Sequence, residues 1–323
     1  MIKMAILGAG AIANKMACTI QQMDNVESYA VAARDESRAA AFADKYSIQK
    51  AYGSYEQMLA DDQIDLVYIA VPHSHHYRYM KMCLEANKNI LCEKPFTVNA
   101  QQAKEILLLA KQKKLFVAEA MWTRYMPSRK IISDIIASNT IGEVRSLSAN
   151  IGYQLEDKTR IWDINLAGGA LLDVGCYLLS FARMVFPKEV TDVQSTAIFK
   201  EGVDAIDNIC LTFDNAFLAS MQCSVMTSQN RDATIFGTTG YIEVKNINNP
   251  ELIEVFNADF EKIESYTVDK QITGFEYQVE ACVKAIENKD LECEQLPHSE
   301  IIAVMELMDR IRGLWGYEIP LIQ

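Results

Sequence analysis

Short apolar runs alternate with helical periods over the first 120 or so residues of the chain. A strand buried on both faces reads as such a run, and a helix between two of them supplies the crossover of a parallel sheet. The predicted elements, strands and helices in turn, are 4–7, 11–23, 28–33, 37–45, 64–70, 76–86, 89–92, 100–113 and 115–118. This order predicts an α/β fold that begins with a doubly wound parallel sheet.

The pattern changes after Pro127 and a helix that runs to Ile136. Polar and apolar positions then alternate, as in antiparallel strands with one solvated face. The predicted strands are 144–153, 193–199, 206–213, 217–225, 234–237, 241–245 and 252–256, and helices near 275–287 and 299–312 follow. A chain of 323 residues exceeds what one hydrophobic core usually organises. We therefore predict a first domain over 1–120 and a second, α+β domain over 121–323, built on a large and mostly antiparallel sheet.

Charge and composition narrow the expected partners. The chain carries 43 acidic and 31 basic residues, a net charge of −12, so nucleic acid and acidic membrane surfaces would be repelled. The first four residues lead directly into a strand pattern, and no apolar run is expected to reach the roughly 18 residues of a membrane helix. These features predict a cytoplasmic protein without membrane or nucleic-acid partners. The eight cysteines form no Cys-x-x-Cys pair, so no metal site is expected.

A glycine-rich turn joins the first predicted strand to the first predicted helix. Its sequence, Gly8-Ala9-Gly10-Ala11-Ile12-Ala13, has the spacing and context of the dinucleotide-binding fingerprint of a Rossmann domain. Gly8 permits the tight turn, Gly10 lets a pyrophosphate approach the backbone, and Ala13 allows close packing of the helix on the strand. Gly8, Gly10, Ala11, Ile12 and Ala13 are therefore predicted to bind the cofactor.

The end of the second strand selects between the two nicotinamide dinucleotides. A carboxylate there binds the ribose hydroxyls of NAD, whereas an arginine accommodates the 2′-phosphate of NADP. Arg34 occupies this position, and Arg38 lies one helical turn further on. NADP(H) is the preferred cofactor, but Asp35 leaves NAD(H) open if the register differs by one residue.

Two loops follow later strands of the same predicted sheet. Ala70 to His76 contains three of the four histidines, and we expect Pro72, His73 and His76 to lie under the nicotinamide half of the cofactor. A metal site is the alternative, but no partner pattern of Cys, Asp or Glu surrounds these histidines.

Glu93-Lys94-Pro95 leaves the carboxyl end of the strand 89–92, where doubly wound sheets bind ligands. A lone lysine is usually a solvated charge. Because this one follows a dinucleotide motif, Glu93 and Lys94 are predicted to contact the cofactor, with Lys94 near the reacting group.

A second candidate cluster lies in the later half of the chain. Gly168-Gly169 opens a helix in which Asp173 and Tyr177, four residues apart, share a face. A carboxylate in an apolar helix is costly unless it is paired or faces a cavity, and two glycines would permit close approach to a ligand. Further candidates are Trp122, Arg160 and Trp162 for the substrate and Arg124 for the cofactor or substrate, with interdomain packing as the alternative for each. Asp204 and Asp207 are interpreted as solvated loop charges.

Taken together, these motifs resemble the glucose–fructose oxidoreductase/inositol dehydrogenase/MocA family of NAD(P)-dependent oxidoreductases over essentially the whole chain. The resemblance rests on the glycine motif, Pro72 with His76, Glu93-Lys94-Pro95, and Gly168-Gly169 with Asp173 and Tyr177. Stretches such as 91–95 and 119–124 are most similar to the dimeric dihydrodiol dehydrogenase subgroup, which has a tyrosine at the position of Tyr177. The resemblance implies a homodimer that pairs through the open sheet of the second domain.

The resemblance also implies hydride transfer between nicotinamide and the CH–OH or C=O group of a sugar, polyol or cyclic dihydrodiol. Tyr177 would be the general acid/base, Lys94 would stabilise its phenolate and polarise the reacting oxygen, and Asp173 would orient the substrate. Lys94 as the proton carrier is an open alternative. Two further functions stay open: an NAD-linked sugar or inositol dehydrogenase, and a catalytically silent dinucleotide- or sugar-binding regulator.

Overall fold

The computed structural model describes residues 1–214 and 216–321, which form two compact units. The first unit contains Met1–Trp122 and Gln271–Met305, and the second contains Thr123–Lys270 and Glu306–Leu321. Residues 271–305 therefore group with the first unit, although the sequence assigned them to the domain over 121–323. Backbone pairing explains the difference, because the amide of Val117 donates to the carbonyl of Leu291 at 3.1 Å.

The first unit is built on six parallel strands in the order β3-β2-β1-β4-β5-β6. The strands are β1 (Ile2–Leu7), β2 (Val26–Ala32), β3 (Lys50–Tyr52), β4 (Leu66–Ile69), β5 (Asn89–Glu93) and β6 (Val117–Ala120). The crossover helices are α1 (Ala11–Ile20), α2 (Glu36–Tyr46), α3 (Tyr55–Leu59), α4 (His76–Glu85) and α5 (Ala100–Lys113). The strand order reverses between β1 and β4, so the carboxyl ends of these two strands form the ligand-binding edge expected of this topology.

The second unit is built on eight strands in the order β14-β13-β12-β11-β7-β10-β9-β8. The strands are β7 (Val144–Gly152), β8 (Val190–Lys200), β9 (Val203–Phe213), β10 (Phe217–Ser224), β11 (Ala233–Gly237), β12 (Gly240–Lys245), β13 (Leu252–Asn257) and β14 (Lys262–Thr267). Only the β7–β10 pair among these described strands is parallel, so the predicted mostly antiparallel sheet is confirmed.

Three helical segments of the second unit lie against this sheet or against one another. They are α6 (Pro127–Ala137), a π-helical segment Leu171–Gly175 that we call the π turn, and α7 (Cys176–Val185), which continues from it. The last two helices of the chain are α8 (Glu276–Asn288) and α9 (His298–Trp315). A single π turn within a helix is often found at functional sites.

The segment Ile164–Val185 is long and apolar enough to cross a membrane by length and composition. No such run was expected from the sequence, and that expectation was wrong. Within the protein, 83% of the apolar window of this segment is buried. Burial to this extent is typical of a core helix, and the segment includes the π turn and α7.

Candidate active site

The glycine turn after β1 has the backbone geometry that its sequence predicts. Gly8 has a φ of 105°, and a Cβ at this position would lie 2.8 Å from the carbonyl oxygen of Ala70. Gly10 precedes α1 and provides no side-chain cap, so the first amides of the helix remain available to an anion. Ala13 is fully buried against the sheet, whereas Ala11 and Ile12 retain exposed surface. These features fit a pyrophosphate at the N-terminus of α1.

Asp35 is engaged by the helix that follows it. Its Oδ1 accepts hydrogen bonds from the amide of Ser37 at 2.9 Å and from the Ser37 hydroxyl at 2.7 Å, so Asp35 is the N-cap of α2. These hydrogen bonds lower the pKa of the Asp35 carboxyl. The carboxylate is therefore used for capping, which leaves the exposed Arg34 at the end of β2.

Two further arginines add positive charge near Arg34. Arg38 donates to the carbonyl of Ala9, in the glycine turn, at 3.1 Å. Burial, followed by the charges of Arg34 and Arg78, lowers the pKa of His75. The turn, the end of β2 and the start of α4 thus share one positively charged edge of the first unit.

Lys94 lies immediately after β5 and is held by its neighbours in the chain. From Leu91 to Val98 every residue except Lys94 is buried. Glu93 accepts hydrogen bonds from the hydroxyl of Tyr68 and from the amide of Lys94, and Glu119 of β6 accepts the amide of Phe96 at 2.8 Å. Burial raises the pKa of the Glu93 carboxyl, against the lowering effect of the Tyr68 hydrogen bond and the Lys94 charge. The segment thus presents one half-buried cation on a fixed backbone.

His76 supports the same segment from α4. Its Nδ1 lies 2.8 Å from the carbonyl of Pro95, and its Nε2 lies 3.0 Å from the carbonyl of Val71. The ring has no exposed surface, and burial lowers its pKa to about 4. His76 therefore bridges the loop after β4 to the loop after β5. In the first of these loops, Pro72 keeps exposed surface and His73 is 7% exposed.

Trp122 packs within the first unit. Its ring lies 5.1 Å from that of Phe275, and the Lys15 ammonium lies 4.2 Å from its centroid. Gly274, with a φ of 87°, is the residue that lets the chain pass this ring, because a Cβ there would lie 2.5 Å from Trp122. These contacts give Trp122 a packing role within the first unit.

The π turn brings together two of the predicted site residues of the second unit. Asp173 is 4% exposed, and its Oδ1 accepts a hydrogen bond from Nη1 of Arg160 at 3.0 Å. Tyr177, 8% exposed, lies one helical turn further on at the start of α7. The costly carboxylate is thus paired, as its position in an apolar helix requires.

The two glycines before the π turn are explained by packing inside the second unit. A Cβ on Gly168 would overlap with the carbonyl oxygen of Ile161, and a Cβ on Gly169 would overlap with the carboxylate of Asp204. Gly169 also has a φ of 107°, a conformation that L-residues rarely adopt. These contacts, rather than the approach of a ligand, account for both glycines.

Arg124 and Trp162 also make contacts within the second unit. Arg124 is 5% exposed and donates to the carbonyl of Ser180, in α7, at 3.1 Å. The indole nitrogen of Trp162 donates to the carbonyl of Leu155 at 3.3 Å, and the Lys200 ammonium lies 4.8 Å from its ring. Arg124 therefore holds α7, while Trp162 remains half-buried near the π turn.

Two acids interpreted from the sequence as solvated lie in the core of the second unit. Asp204 is 2% exposed and Asp207 is fully buried, so the interpretation as loop charges was wrong. Both belong to β9, and the alternation of strand residues could have identified Asp207 as facing inward. The buried Glu119 was also missed, although a carboxylate inside the apolar run 116–120 marks a polar group that needs a partner.

Sequence comparisons agree with this architecture. A family model described as an oxidoreductase family with an NAD-binding Rossmann fold matches residues 2–121, and the GFO/IDH/MocA C-terminal domain matches residues 130–243. The chain belongs to the GFO/IDH/MocA oxidoreductase family. It is therefore an enzyme of the NAD(P)-dependent oxidoreductase class, as the sequence predicted.

Two relatives are named as dehydrogenases. The trans-1,2-dihydrobenzene-1,2-diol dehydrogenase of Homo sapiens is 30% identical over 99% of this chain and 98% of that protein. The enzyme of the same name from Mus musculus is 34% identical over 77% of this chain and 76% of that protein.

Solved structures share the fold at lower identity. A 3-ketoreductase from Actinomadura kijaniata in complex with NADP and TDP-benzene superposes with a TM-score of 0.87 at 22% identity, over 97% of both chains. An aldose-aldose oxidoreductase from Caulobacter crescentus gives a TM-score of 0.88 at 17% identity, over 97% of this chain and 96% of that one. The two-part α/β architecture of the GFO/IDH/MocA family is therefore confirmed.

Proposed function

We propose that this chain is an NADP(H)-dependent oxidoreductase that interconverts a CH–OH and a C=O group in a cyclic dihydrodiol, sugar or polyol. The observation that carries the proposal is Lys94, the half-buried cation of an otherwise buried segment at the carboxyl end of β5. Three buried side chains, Glu93, Glu119 and His76, fix the backbone around it. Such a preorganised cation suits the polarisation of an oxygen on which charge develops.

The cofactor preference rests on the end of β2. Asp35 already accepts two hydrogen bonds as the cap of α2, so Arg34 is the side chain that we assign to the 2′-phosphate. Arg38, which contacts the glycine turn, adds to the positive charge. Gly8, Gly10 and the first turn of α1 would hold the pyrophosphate, and the bound nicotinamide would give or accept the hydride.

The proton is assigned to Tyr177, with Asp173 as the residue that orients the substrate hydroxyl. A free tyrosine is a poor base at neutral pH because its pKa is about 10, and a neighbouring ammonium stabilises its phenolate. Lys94 is proposed to supply that ammonium. Asp173 is buried, and its Oδ1 accepts a hydrogen bond from Arg160, so this pair fixes the position of the carboxylate at the π turn.

The substrate class follows from the relatives. Proteins named trans-1,2-dihydrobenzene-1,2-diol dehydrogenase align along almost the whole chain, whereas the structural neighbours are named as ketoreductases and sugar oxidoreductases. We give priority to cyclic vicinal diols, with sugars as the second class.

We also propose a cytoplasmic location and a homodimer. The homodimer is supported by the apolar outer face of the second sheet, where Leu218 and Phe236 are 44% and 39% exposed.

One experiment tests the activity directly. NADP⁺ reduction is followed with a panel of trans-dihydrodiols and aldoses, and NADPH oxidation with the matching ketones. Turnover is expected with at least one compound, and Tyr177→Phe should lower kcat by roughly 10²–10⁴ because proton transfer is lost. Cofactor binding in the absence of any turnover would favour a silent binding protein. An unchanged rate in Tyr177→Phe would assign the proton to another group, such as Lys94.

A further inference from the structure

Asp204 and Asp207 face the same side of β9, although residues three apart in a regular strand face opposite sides. A register shift between Ile198 and Phe199 of β8 explains this: Phe199 pairs with Asp204, whereas Ile198 pairs with Ile206. The extra residue is a β-bulge, and such bulges re-aim side chains beside functional sites. The result is a buried pair of carboxyls, which we call the acid pair.

Asp204 supports the beginning of the π turn. Its Oδ2 accepts the amide of Leu171, the first residue of the turn, at 2.6 Å. The same carboxylate fills the space beside Gly169. The first amides of a helical segment have no partner inside it, so this carboxylate acts as an N-terminal cap supplied by a strand.

Asp207 reaches the end of the π turn through a cysteine. The thiol of Cys223 in β10 lies 3.2 Å from Oδ2 of Asp207 and donates to it. The same sulfur lies 3.1 Å from where a Cβ of Gly175 would be, and Gly175 is the last residue of the turn. The acid pair and Cys223 therefore contact both ends of the segment that carries Asp173.

The two carboxyls cannot both be ionised at low cost. Both are buried on the same side of β9, close enough for each to shift the protonation of the other. The amide of Leu171 favours charge on Asp204, whereas no N–H group among the described residues donates to Asp207. Burial, followed by the charge of Asp204, raises the pKa of Asp207 to about 9. Two adjacent buried acids of this kind titrate as a unit.

We propose that Asp204 and Asp207 share one proton and, in this form, are positioning residues that hold the π turn and thereby set Asp173 and Tyr177 for the reaction. The proposal rests on the proposed function for its consequence, but the acid pair touches none of the reacting groups. It acts through the backbone of Leu171 and through the packing of Gly175. Loss of the shared proton would place two charges beneath the turn and displace it.

Other groups face the acid pair from each element packed on it. Cys223 belongs to β10 and Cys176 to α7, and burial raises the pKa of the Cys223 thiol well above its usual value. Arg312 of α9 lowers the pKa of Asp204, in opposition to the larger effect of burial. Burial, followed by the charge of Asp204, raises the pKa of Tyr317. Burial thus shifts the pKa values of the Cys223 thiol and the Tyr317 hydroxyl upward, away from neutral pH, so we expect the acid pair to control the range from pH 6 to 9.

Four variants test the proposal. Asp207→Asn keeps a donor for Asp204 and an acceptor for Cys223, so kcat should stay within about threefold of wild type, and the alkaline decrease of kcat near pH 9 should disappear. Asp207→Ala and Asp204→Ala should each lower kcat by about 10- to 100-fold, while the Kd for NADPH changes by less than twofold. Asp214→Asn, at the exposed position directly after β9, is the matched control and should match wild type.

A second readout does not depend on turnover. The infrared C=O band of a protonated carboxyl at pH 7 should be weaker in Asp207→Asn than in wild type and Asp214→Asn. If no substrate turns over but this difference is present, the proposed function fails and the shared proton stands. The proposal is overturned if the band is unchanged, if Asp207→Asn is as damaging as Asp207→Ala, or if Asp204→Ala leaves kcat and its pH profile intact.

Discussion

At the scale of single residues, the choice between NADP and NAD depends on the hydrogen bonds that the Asp35 carboxylate already makes. The sequence left Arg34 and Asp35 as alternatives because a shift of one residue exchanges their positions. The structure gives Asp35 a definite role, since its carboxylate caps α2 through Ser37. A capping carboxylate contributes about 1 kcal/mol to helix stability, and this hydrogen bonding would be lost if Asp35 turned towards a ribose.

Arg34→Ala should therefore weaken NADP⁺ binding by about 10- to 150-fold, because hydrogen bonds to a charged group contribute about 1.5–3 kcal/mol. NAD⁺ lacks the 2′-phosphate, so its Kd should change by less than about twofold. Titration calorimetry with both dinucleotides measures the two values. Asp35→Asn retains the cap and is the matched control, with both affinities near wild type. Equal losses for both cofactors in Arg34→Ala, or a selective loss of NAD⁺ binding in Asp35→Asn, would contradict the assignment.

The buried acids of the second unit differ in how far the sequence predicts their contacts. Asp173 was singled out because a carboxylate in an apolar helix needs a partner, and Arg160 is that partner. The same reasoning did not identify Asp204 and Asp207. Both were interpreted as solvated loop charges. Residues three apart in a regular strand face opposite sides, and only the bulge opposite Ile198 and Phe199 brings these two together. A bulge depends on strand pairing, so it cannot be inferred from one strand alone.

At the scale of elements, periodicity predicted the long helices and buried strands well. The predicted helix 100–113 is α5 with the same bounds, and the predicted strand 89–92 is β5 with one added residue. Two strands were missed, β3 and β14, and both lie at the edges of their sheets. β3 has only three residues, and β14 contains Lys262, Glu264 and exposed positions. Short or charged edge strands resist aggregation, and for the same reason they lack an apolar pattern.

Gly169, two residues before the π turn, should be sensitive to substitution because of its backbone and its contact with Asp204. Gly169→Ala should destabilise the protein by about 3 kcal/mol, because about 1–2 kcal/mol comes from the left-handed backbone and the rest from overlap with Asp204. Gly202→Ala is the matched control: its φ is 86°, but nothing lies within 4 Å of the added Cβ. Gly202→Ala should lower the free energy of unfolding only by the backbone contribution of about 1–2 kcal/mol. In an Asp204→Ala background the excess cost of Gly169→Ala should vanish, as measured by a double-mutant cycle on chemical denaturation. Equal costs for the two glycines would contradict the contact.

At the scale of the whole molecule, the second sheet leaves one face apolar along a row of paired residues. Phe236 pairs with Tyr241, and Tyr241 pairs with Phe256, with the last two rings stacked at 4.8 Å. Leu218 lies in the same row, two strands from Phe236. We propose that this exposed patch is the interface of the homodimer, because a twofold axis lets the same patch pair with itself.

Leu218→Glu should therefore convert a dimer into a monomer, as measured by light scattering on a sizing column. The buried charge would have no partner at the centre of the interface. Leu108→Glu is the matched control, because Leu108 is 57% exposed on α5 of the first unit and Leu218 is 44% exposed. The control should stay dimeric. A wild-type monomer at micromolar concentration would refute the pairing, and dissociation by both variants would show a nonspecific effect.

The acid pair also links the stability of the molecule to pH. The pKa of Asp207 is raised by burial and by the charge of Asp204 to about 9, from an ordinary value of 3.8, so the folded state retains a proton that the unfolded chain has lost. Because the folded state binds more protons throughout this window, the free energy of unfolding should decrease as pH rises, by up to about 1.4 kcal/mol per pH unit. Asp207→Asn has no proton to lose, so the difference in Tm between this variant and wild type should grow in favour of the variant from pH 6 to pH 9. Melting curves at constant ionic strength measure it, with Asp214→Asn following wild type. Parallel pH profiles for wild type and Asp207→Asn would mean that the carboxyl carries no proton at neutral pH.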